Sequence, residues 1–357
     1  MQPLDSLAVE HLLHRHSCNA RNEKCANEQG MTGHPCTNVH PDSRKEYPAI
    51  DAAMEVLEDT TQFILRELYV SFRFVRYDLT VTVLPGALLT LATHMKGTSV
   101  FGTTTSLTPI WRSLPSSIIW MWLFVYVSNL ANQIHGAEED AINKPSRPIP
   151  SKLVTISSAH KRFVWISAIF VLAGAWLGNG ILSLAWVVDV LINDFWGPSI
   201  TYLHWLVKPI FMTTGIFIMA LGNPNIVAPV LDHAPTVLYM AVISVAVGLF
   251  GFNLQDIRDV EGDRAKGDRL TLPLMIGEVP ARHLCNILLL CCWGILHSAL
   301  KALDRPYNFA TSMAILLWCI FLCIRTLVFR SPAQDHKTYI FFVYLYSFVL
   351  ISYLWVV

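Results

Sequence analysis

Long apolar runs separated by short polar loops make up most of the chain after Leu79, and they constrain its fold more than any other feature. Each run approaches the roughly 20 residues that an α-helix needs to cross a bilayer. Because backbone groups in lipid must be hydrogen bonded within the protein, such runs favour helices. Composition agrees, since 53% of the residues are hydrophobic and 15% are charged, against about 25% charged in a soluble domain. We therefore predict an all-α, polytopic membrane protein.

The apolar runs predict about nine transmembrane helices. Their positions are residues 79–93, 116–130, 163–177, 180–192, 203–221, 237–252, 284–303, 310–326 and 338–357. With this count, most Lys and Arg residues of the loops fall on one face of the membrane, and such an excess marks the cytosolic face. The whole chain has a formal net charge of zero, so nothing in it favours binding to nucleic acid.

Two segments precede the predicted spans. Residues 1–50 are polar and contain Cys18, Cys25 and Cys36 among several histidines, without the paired spacing of a zinc module. We predict a disordered, metal-free tail there, because few apolar residues are available to offset the entropy of ordering. In residues 51–78, apolar and acidic positions alternate at helical spacing, which predicts an amphipathic helix that lies at the membrane surface or packs under the helix bundle. Residues 79–357 form the predicted transmembrane domain.

Two acidic segments, residues 129–150 and 253–269, stand at the ends of predicted spans and open on the predicted cytosolic face. Their candidate metal ligands are Asn132, Glu139, Asp140, Asp256, Asp259 and Asp263. The three aspartates of the second segment have i, i+3, i+7 spacing, which places them on one face of a helix. Carboxylates at a membrane boundary are unfavourable unless something pairs with them. Ordinary charged loop ends explain one such cluster better than they explain two on the same face.

The acidic segments predict a site for Mg²⁺ and a diphosphate. Carboxylate oxygens are ligands that Mg²⁺ prefers, and the ion usually shares its coordination with substrate phosphates. Basic residues that could hold the remaining phosphate oxygens are Arg147, Arg264, Lys266 and Lys208. An allylic diphosphate held in this way can depart and leave a carbocation. The aspartates that we expect to be catalytic are Asp140, Asp256, Asp259 and Asp263.

Aromatic side chains within the spans could stabilise such a cation through cation–π contact. The candidates are Trp120, Trp122, Phe124, Tyr126, Phe211, Phe217, Phe250 and Phe252. Most aromatic residues of membrane helices face lipid or the protein core, so only some of these are expected to line a cavity.

The two acidic segments resemble the aspartate-rich signatures of the UbiA superfamily of intramembrane prenyltransferases. The matching residues of the first are Asn132, Asp140, Asn143, Pro145, Arg147, Pro148 and Pro150, and those of the second are Asp256, Asp259, Gly262, Asp263, Arg264 and Gly267. The resemblance implies nine transmembrane helices around a central cavity and Mg²⁺-dependent use of an isoprenyl diphosphate. It also implies diphosphate contacts from Tyr202 and Lys208, near the start of the fifth span.

One position departs from the family pattern. Gly136 stands where the family has its middle aspartate, so that a ligand is missing or is replaced by Glu138 or Glu139. This form resembles a fungal branch of the superfamily that includes membrane-bound sesquiterpene cyclases of the β-trans-bergamotene type. The resemblance implies cyclisation of farnesyl diphosphate in secondary metabolism, in the endoplasmic reticulum with the site facing the cytosol.

Two other functions stay open at this point. A prenyltransferase that hands the prenyl group to an aromatic acceptor would use the same metal and diphosphate groups. A transporter or lipid-binding scaffold would place polar residues near mid-span, whereas here they gather at one interface, with Asp189 as the main exception. The lipid bilayer and an isoprenyl diphosphate are the expected partners, and no sequence feature identifies a protein partner.

Overall fold

The protein is represented by a computed structural model that describes residues 48–97, 107–196, 204–231, 233–266, 270–303 and 308–356. Most of the predicted polar tail, with its three cysteines, lies outside these ranges. The chain divides into two units, Met1–Asp59 and Thr60–Val357. The second unit holds the helices that form the site.

Within the described ranges the chain is helical and contains no strand. The helices are α1 (Pro48–Val75), α2 (Leu84–Lys96), α3 (Ile110–His135), α4 (Ala137–Asn143), α5 (Ile156–Trp176), α6 (Gly180–Leu191), α7 (His204–Val227), α8 (Ala234–Ser244), α9 (Leu254–Lys266), α10 (Leu272–Ile276), α11 (Glu278–Leu303), α12 (Asn308–Val328) and α13 (Pro332–Val356). Three π-helical segments, Leu79–Val83, Ile192–Trp196 and Val245–Gly251, adjoin α2, α6 and α8. The predicted all-α class is confirmed.

Six of the described helices are long and apolar enough to cross a membrane. They are α3, α5, α11, α12, the Trp205–Val227 part of α7, and α8 together with its π-helical segment. The number rises to seven if Val56–Val75 and Leu79–Lys96, which are bent by 75° relative to each other, form one span. Each of the nine predicted runs overlaps a helix, while their number as membrane spans stays a prediction.

The two acidic segments come together because their helices pack at the same end of the bundle. Helix α3 ends at Gly136, and the seven-residue α4 carries the first segment away from it. Helix α9 carries the second segment and packs against both α4 and α13. Helix α3 also packs against α5, α6 and α7. The two acidic segments therefore adjoin a bundle built around α3.

Helix α1 and the loop after α4 are tied together at the same end. Arg73 of α1 donates from Nη2 to the carbonyl oxygen of Ser146 (2.7 Å), and Arg76 donates from Nη2 to the Ser146 hydroxyl (3.2 Å). Glu67 of α1 also pairs with Arg162 of α5, with 2.5 Å between Nη2 and Oε1. These bonds hold the loop that carries the first basic motif residue, Arg147. Helix α1 covers most of the segment predicted as an amphipathic helix and has exposed apolar side chains along it, while its place at the membrane surface stays a prediction.

A buried ion pair joins two helices on the other side of α9. Arg282 of α11 donates from Nη1 and Nη2 to the two carboxylate oxygens of Asp335 in α13, at 2.6 and 2.7 Å. Arg282 also donates to the carbonyl oxygen of Thr326 in α12 (3.0 Å). Because both charges are almost fully buried, this fork of hydrogen bonds fixes the geometry of three helices that support the site.

Candidate active site

Both acidic segments open into one cavity that is partly open to solvent. One end of the cavity is polar and charged, and its lining includes Asn132, Glu139, Asp140, Lys144, Arg147, Lys208, Asp259 and Asp263. The other end is apolar and largely aromatic, and its lining includes Phe124, Trp186, Phe211, Phe252 and Tyr346. Tyr339 lies between the two ends, because its ring is near that of Phe252 and also has Arg258 4.6 Å from its centroid. The cavity therefore joins a binding surface for a polar group to one for a hydrocarbon.

In the first segment, the carboxylate of Asp140 is held by an arginine from the following loop. Arg147 Nη1 lies 2.8 Å from both carboxylate oxygens, and both residues are buried. Glu139 is also buried and lines the cavity, whereas Glu138 is exposed. The predicted ligands Asn132, Glu139 and Asp140 are thus brought to one wall of the cavity.

In the second segment, two of the three aspartates are bound by cations. Lys208 Nζ of α7 donates to Asp256 Oδ1 (2.5 Å). Arg258 donates from Nε and Nη2 to the two oxygens of Asp259, each at 2.7 Å. Asp263, which is 4% exposed, has one carboxylate oxygen, Oδ2, that is buried and accepts no hydrogen bond from the described residues. Asp259 and Asp263 line the cavity, and Asp256 contacts it through Lys208.

These surroundings push the acidities of neighbouring carboxyl groups in opposite directions. Burial raises the pKa of Asp263 to about 7, and the charge of Lys208 offsets only part of that effect. Burial also raises the pKa of Asp140 despite the Arg147 guanidinium beside it. At Asp259, burial opposes ionisation, but the hydrogen bonds from Arg258 and the charge of Lys144 hold the pKa well below its usual range. Of the three aspartates in the second segment, Asp263 is consequently the one whose charge is compensated least by the described residues.

The donor set fits a hard divalent cation. No three acidic, histidine or cysteine side chains of the described chain converge closely enough to hold an ion as they stand. Their chemistry is nevertheless that of a magnesium site, since carboxylate and amide oxygens are the ligands that Mg²⁺ prefers in proteins. The buried oxygen of Asp263 without a donor supplies a place for positive charge. Asn132, Glu139, Asp140, Asp259 and Asp263, which line the cavity, are the residues that would hold the ion. The sixth predicted ligand, Asp256, accepts from Lys208 and is not among the lining residues.

Some predicted diphosphate contacts lie elsewhere. Arg264 pairs with Glu278 at 3.3 Å, and its side chain is 65% exposed, so it does not line the cavity. Tyr202 and the side chain of Lys266 lie outside the described residues. Two cations that the motif reasoning did not single out are instead present, namely Arg258 on Asp259 and Lys144, whose Nζ lies 4.0 Å from Asp259 Oδ2. Their placement depends on how α9 meets the loop after α4, which motif spacing does not reveal.

The aromatic lining of the cavity combines three predicted residues with three that were not predicted. Phe124, Phe211 and Phe252 were candidates and line the cavity. Trp186, Tyr339 and Tyr346 were not candidates, although helical spacing places Tyr339 and Tyr346 two turns apart on α13. The rings of Phe252 and Tyr346 meet edge to face, with 5.9 Å between centroids. The remaining candidates, Trp120, Trp122, Tyr126, Phe217 and Phe250, are not among the residues that line the cavity.

Comparison with known proteins agrees with this arrangement. Residues 91–346 match the UbiA prenyltransferase family. The diterpene cyclase eriG of Hericium erinaceus is 31% identical over 299 residues, which cover 80% of this chain and 88% of that protein. The polyprenyl transferase eriF of the same organism is 28% identical over 298 residues, which cover 80% of this chain and 94% of that protein. The family match thus includes both acidic segments.

The fold is also shared with a solved structure. A UbiA homolog from Archaeoglobus fulgidus bound to GPP and Mg²⁺ superposes with a TM-score of 0.55 at 14% identity, covering 79% of this chain and 99% of that chain. The family match and the shared fold agree, and this chain belongs to the UbiA prenyltransferase family.

Proposed function

We propose that this protein is a membrane-bound, Mg²⁺-dependent terpene cyclase. Breaking the allylic C–O bond of farnesyl diphosphate would release diphosphate and leave a carbocation. The cation would cyclise onto a double bond of its own chain and then lose a proton, to the released diphosphate or to water, giving a sesquiterpene of the β-trans-bergamotene type. One observation carries the proposal: a single cavity is lined by carboxylates and cations toward one end and by aromatic rings toward the other. A diphosphate requires the first surface, and a reactive hydrocarbon cation requires the second.

The polar end would bind the diphosphate through cations that the structure already holds in place. Arg147 and Lys208 line the cavity and are fixed by Asp140 and Asp256. Arginine and lysine both suit phosphate oxygens, arginine through its planar fork and lysine as a point charge. When bound, Mg²⁺ would neutralise the diphosphate and make it a better leaving group. The carboxylates on both walls give that ion ligands, and Asp263 contributes the buried oxygen that lacks a donor.

The aromatic end would protect the cation from water and hold the chain in a folded shape. The π face of an aromatic ring attracts positive charge, with about 2 kcal/mol or more at desolvated sites. Trp186, Phe252, Tyr339 and Tyr346 are all buried side chains of the cavity wall. A cyclase needs no site for a second substrate, so a wall of this kind is sufficient for its reaction.

The relatives leave two activities to be separated by experiment. The match to the diterpene cyclase eriG supports cyclisation, and the match to the polyprenyl transferase eriF supports transfer to an acceptor as the second candidate. Farnesyl diphosphate is proposed from the resemblance of the motifs. Geranylgeranyl diphosphate is the natural comparison substrate because eriG is named a diterpene cyclase.

The test is a reaction without any acceptor. Membranes containing the protein are incubated with farnesyl or geranylgeranyl diphosphate and Mg²⁺, and the extract is analysed by gas chromatography and mass spectrometry. We expect a cyclic sesquiterpene hydrocarbon from farnesyl diphosphate, and no diphosphate release from the Asp256→Ala and Asp259→Ala variants. If product forms only after an aromatic acid is added, the cyclase proposal is wrong and the transferase is favoured.

We also propose where the protein lies. The multi-pass helices place it in a membrane, and the excess of basic residues around the acidic segments supports a site that faces the cytosol. Exposed apolar side chains such as Phe63 and Leu68 along α1 support its position at the membrane surface. The endoplasmic reticulum is proposed from the fungal resemblance, and fluorescence microscopy of a tagged chain with an organelle marker tests it.

A further inference from the structure

Helix α7 carries two glycines on one face, and each admits the ring of a tryptophan from another helix. Gly215 and Gly222 are seven residues apart, which is about two helical turns. A Cβ atom on Gly215 would lie 2.8 Å from Cζ3 of Trp186, and one on Gly222 would collide with the ring of Trp120. Any larger residue at either position would therefore force an indole ring to move.

Trp186 is held in place by two stacked rings and a hydrogen bond. Its ring is stacked on Phe124 of α3, with 4.0 Å between ring centroids and 5° between ring planes. It is also stacked on Phe211 of α7, with 5.1 Å between centroids and 20° between planes. Its Nε1 donates to the carbonyl oxygen of Phe124 (2.9 Å). Three helices thus build one flat stack. All three rings and Gly215 line the cavity.

Trp120 also packs against a glycine of α7, Gly222, but it lies outside the cavity lining. It is fully buried, and its Nε1 donates to Ser183 Oγ (2.9 Å). It is not among the residues that line the cavity. The pair Gly222 and Trp120 therefore packs the bundle behind the wall, where the Trp120 ring meets the back of Phe124 with 6.0 Å between centroids. Because Trp120 does not line the cavity itself, the pair offers a comparison for Gly215 and Trp186 that is one ring further from the substrate.

We infer that Trp186, seated on Gly215, is a specificity-determining residue, which sets how the prenyl chain folds and how long a chain the cavity accepts. This inference rests on the proposed function. A prenyl chain that leaves the polar end must run along the cavity wall, and the stack supplies a flat, rigid part of that wall. Because the indole cannot retreat without losing both stacking partners and its hydrogen bond, the wall resists adaptation to another chain shape.

The experiment compares four variants in membranes: Trp186→Leu, Trp186→Phe, Gly215→Ala and Gly222→Ala. Diphosphate release is measured with farnesyl and geranylgeranyl diphosphates, and the ratio of cyclic to acyclic products is measured by mass spectrometry. Trp186→Leu enlarges the cavity, so we expect it to shift the kcat/KM ratio toward the longer substrate by about tenfold and to increase the acyclic share. Gly215→Ala displaces the ring and should change the product ratio by about threefold or more.

The control and the milder variant separate specificity from folding. Gly222→Ala displaces a tryptophan behind the wall, so it should lower the yield of folded protein while leaving both ratios within about twofold of wild type. Trp186→Phe keeps an aromatic ring but loses the hydrogen bond of the indole. If Trp186→Leu does not fold, Trp186→Phe and Gly215→Ala provide the test. Unchanged ratios in the folded Trp186 and Gly215 variants would overturn the inference.

The same data distinguish this inference from the proposed function. If the wild-type protein transfers its prenyl group to an acceptor and forms no hydrocarbon, the cyclase proposal fails. The preference between the two diphosphate chain lengths would then still support or overturn the role of Trp186. If wild type forms a cyclic product and the Trp186 variants form it in the same ratio, only the inference fails.

Discussion

Asp263→Asn should stabilise the protein when no divalent metal is present. The folded chain raises the pKa of Asp263 from 3.8 to about 7 through burial. Each tenfold change in ionisation is worth about 1.4 kcal/mol, so keeping this carboxylate charged costs the folded state up to about 4 kcal/mol. Between those two pKa values the folded state binds more protons than the unfolded one, so stability falls as the pH rises. The penalty is fully present above pH 7 and absent well below pH 4.

The measurement is unfolding of purified protein in detergent at pH 8 with EDTA, followed by the same measurement with Mg²⁺. We expect the asparagine variant to be more stable than wild type in EDTA. Wild type should gain about 2.7 kcal/mol at a Mg²⁺ concentration 100 times its Kd, and the variant should gain much less because it lacks a carboxylate ligand.

Asp259→Asn is the matched control, one helical turn away on α9. Arg258 donates two hydrogen bonds to Asp259, so the substitution leaves a largely buried guanidinium without its anion and should destabilise the metal-free protein by about 3 kcal/mol. The same chemical change thus has opposite expected signs at two positions. If Asp263→Asn destabilises the protein in EDTA as much as Asp259→Asn does, the reasoning from burial is wrong.

Three further predictions concern other charged groups. Glu139→Gln should weaken the Mg²⁺-dependent stabilisation about tenfold in Kd, whereas Glu138→Gln, an exposed neighbour, should leave the Kd from the same titration unchanged. Arg264→Ala should keep diphosphate release within about threefold of wild type, because its exposed side chain pairs with a glutamate on the surface; a loss like that of an essential phosphate contact would contradict this. Arg282→Met should lower stability by about 3–5 kcal/mol through the buried carboxylate of Asp335 left behind, and adding Asp335→Leu should restore much of it in a thermal unfolding assay.

The helices and the position of the acidic motifs could be predicted from sequence, because each depends on local spacing. Apolar runs of membrane length determine helices without reference to neighbours. The spacing of Asp259 and Asp263 determines that they share a helix face, and both line the cavity. The ligands predicted in the first segment lie on the same cavity wall for a similar reason, since α4 is a short continuation beyond Gly136.

The aromatic wall and the cation partners could not be predicted in the same way. Trp186 lies on α6, whose helix is apolar nearly throughout, so no periodicity distinguishes the face toward the cavity from the face toward lipid. Lys208 meets Asp256 across 48 positions of the chain, and this contact depends on how α7 packs beside α9. For Arg264 the motif pattern predicted a diphosphate contact, but its exposed side chain pairs with Glu278 outside the cavity.

The ligand that Gly136 cannot supply has a proposed replacement, Glu139, in the short helix that follows it. Helix α4 turns Glu139 and Asp140 toward the cavity while Glu138 stays exposed. Asp140 is bound by Arg147 on both oxygens, which makes it the anchor of the basic loop. Glu139 lies close enough to Asp263 for its charge to raise the pKa of that carboxyl group. Since like charges at such proximity are unfavourable unless a cation lies between them, the first segment would contribute to the metal site through Glu139, one turn after the position where the family has its aspartate.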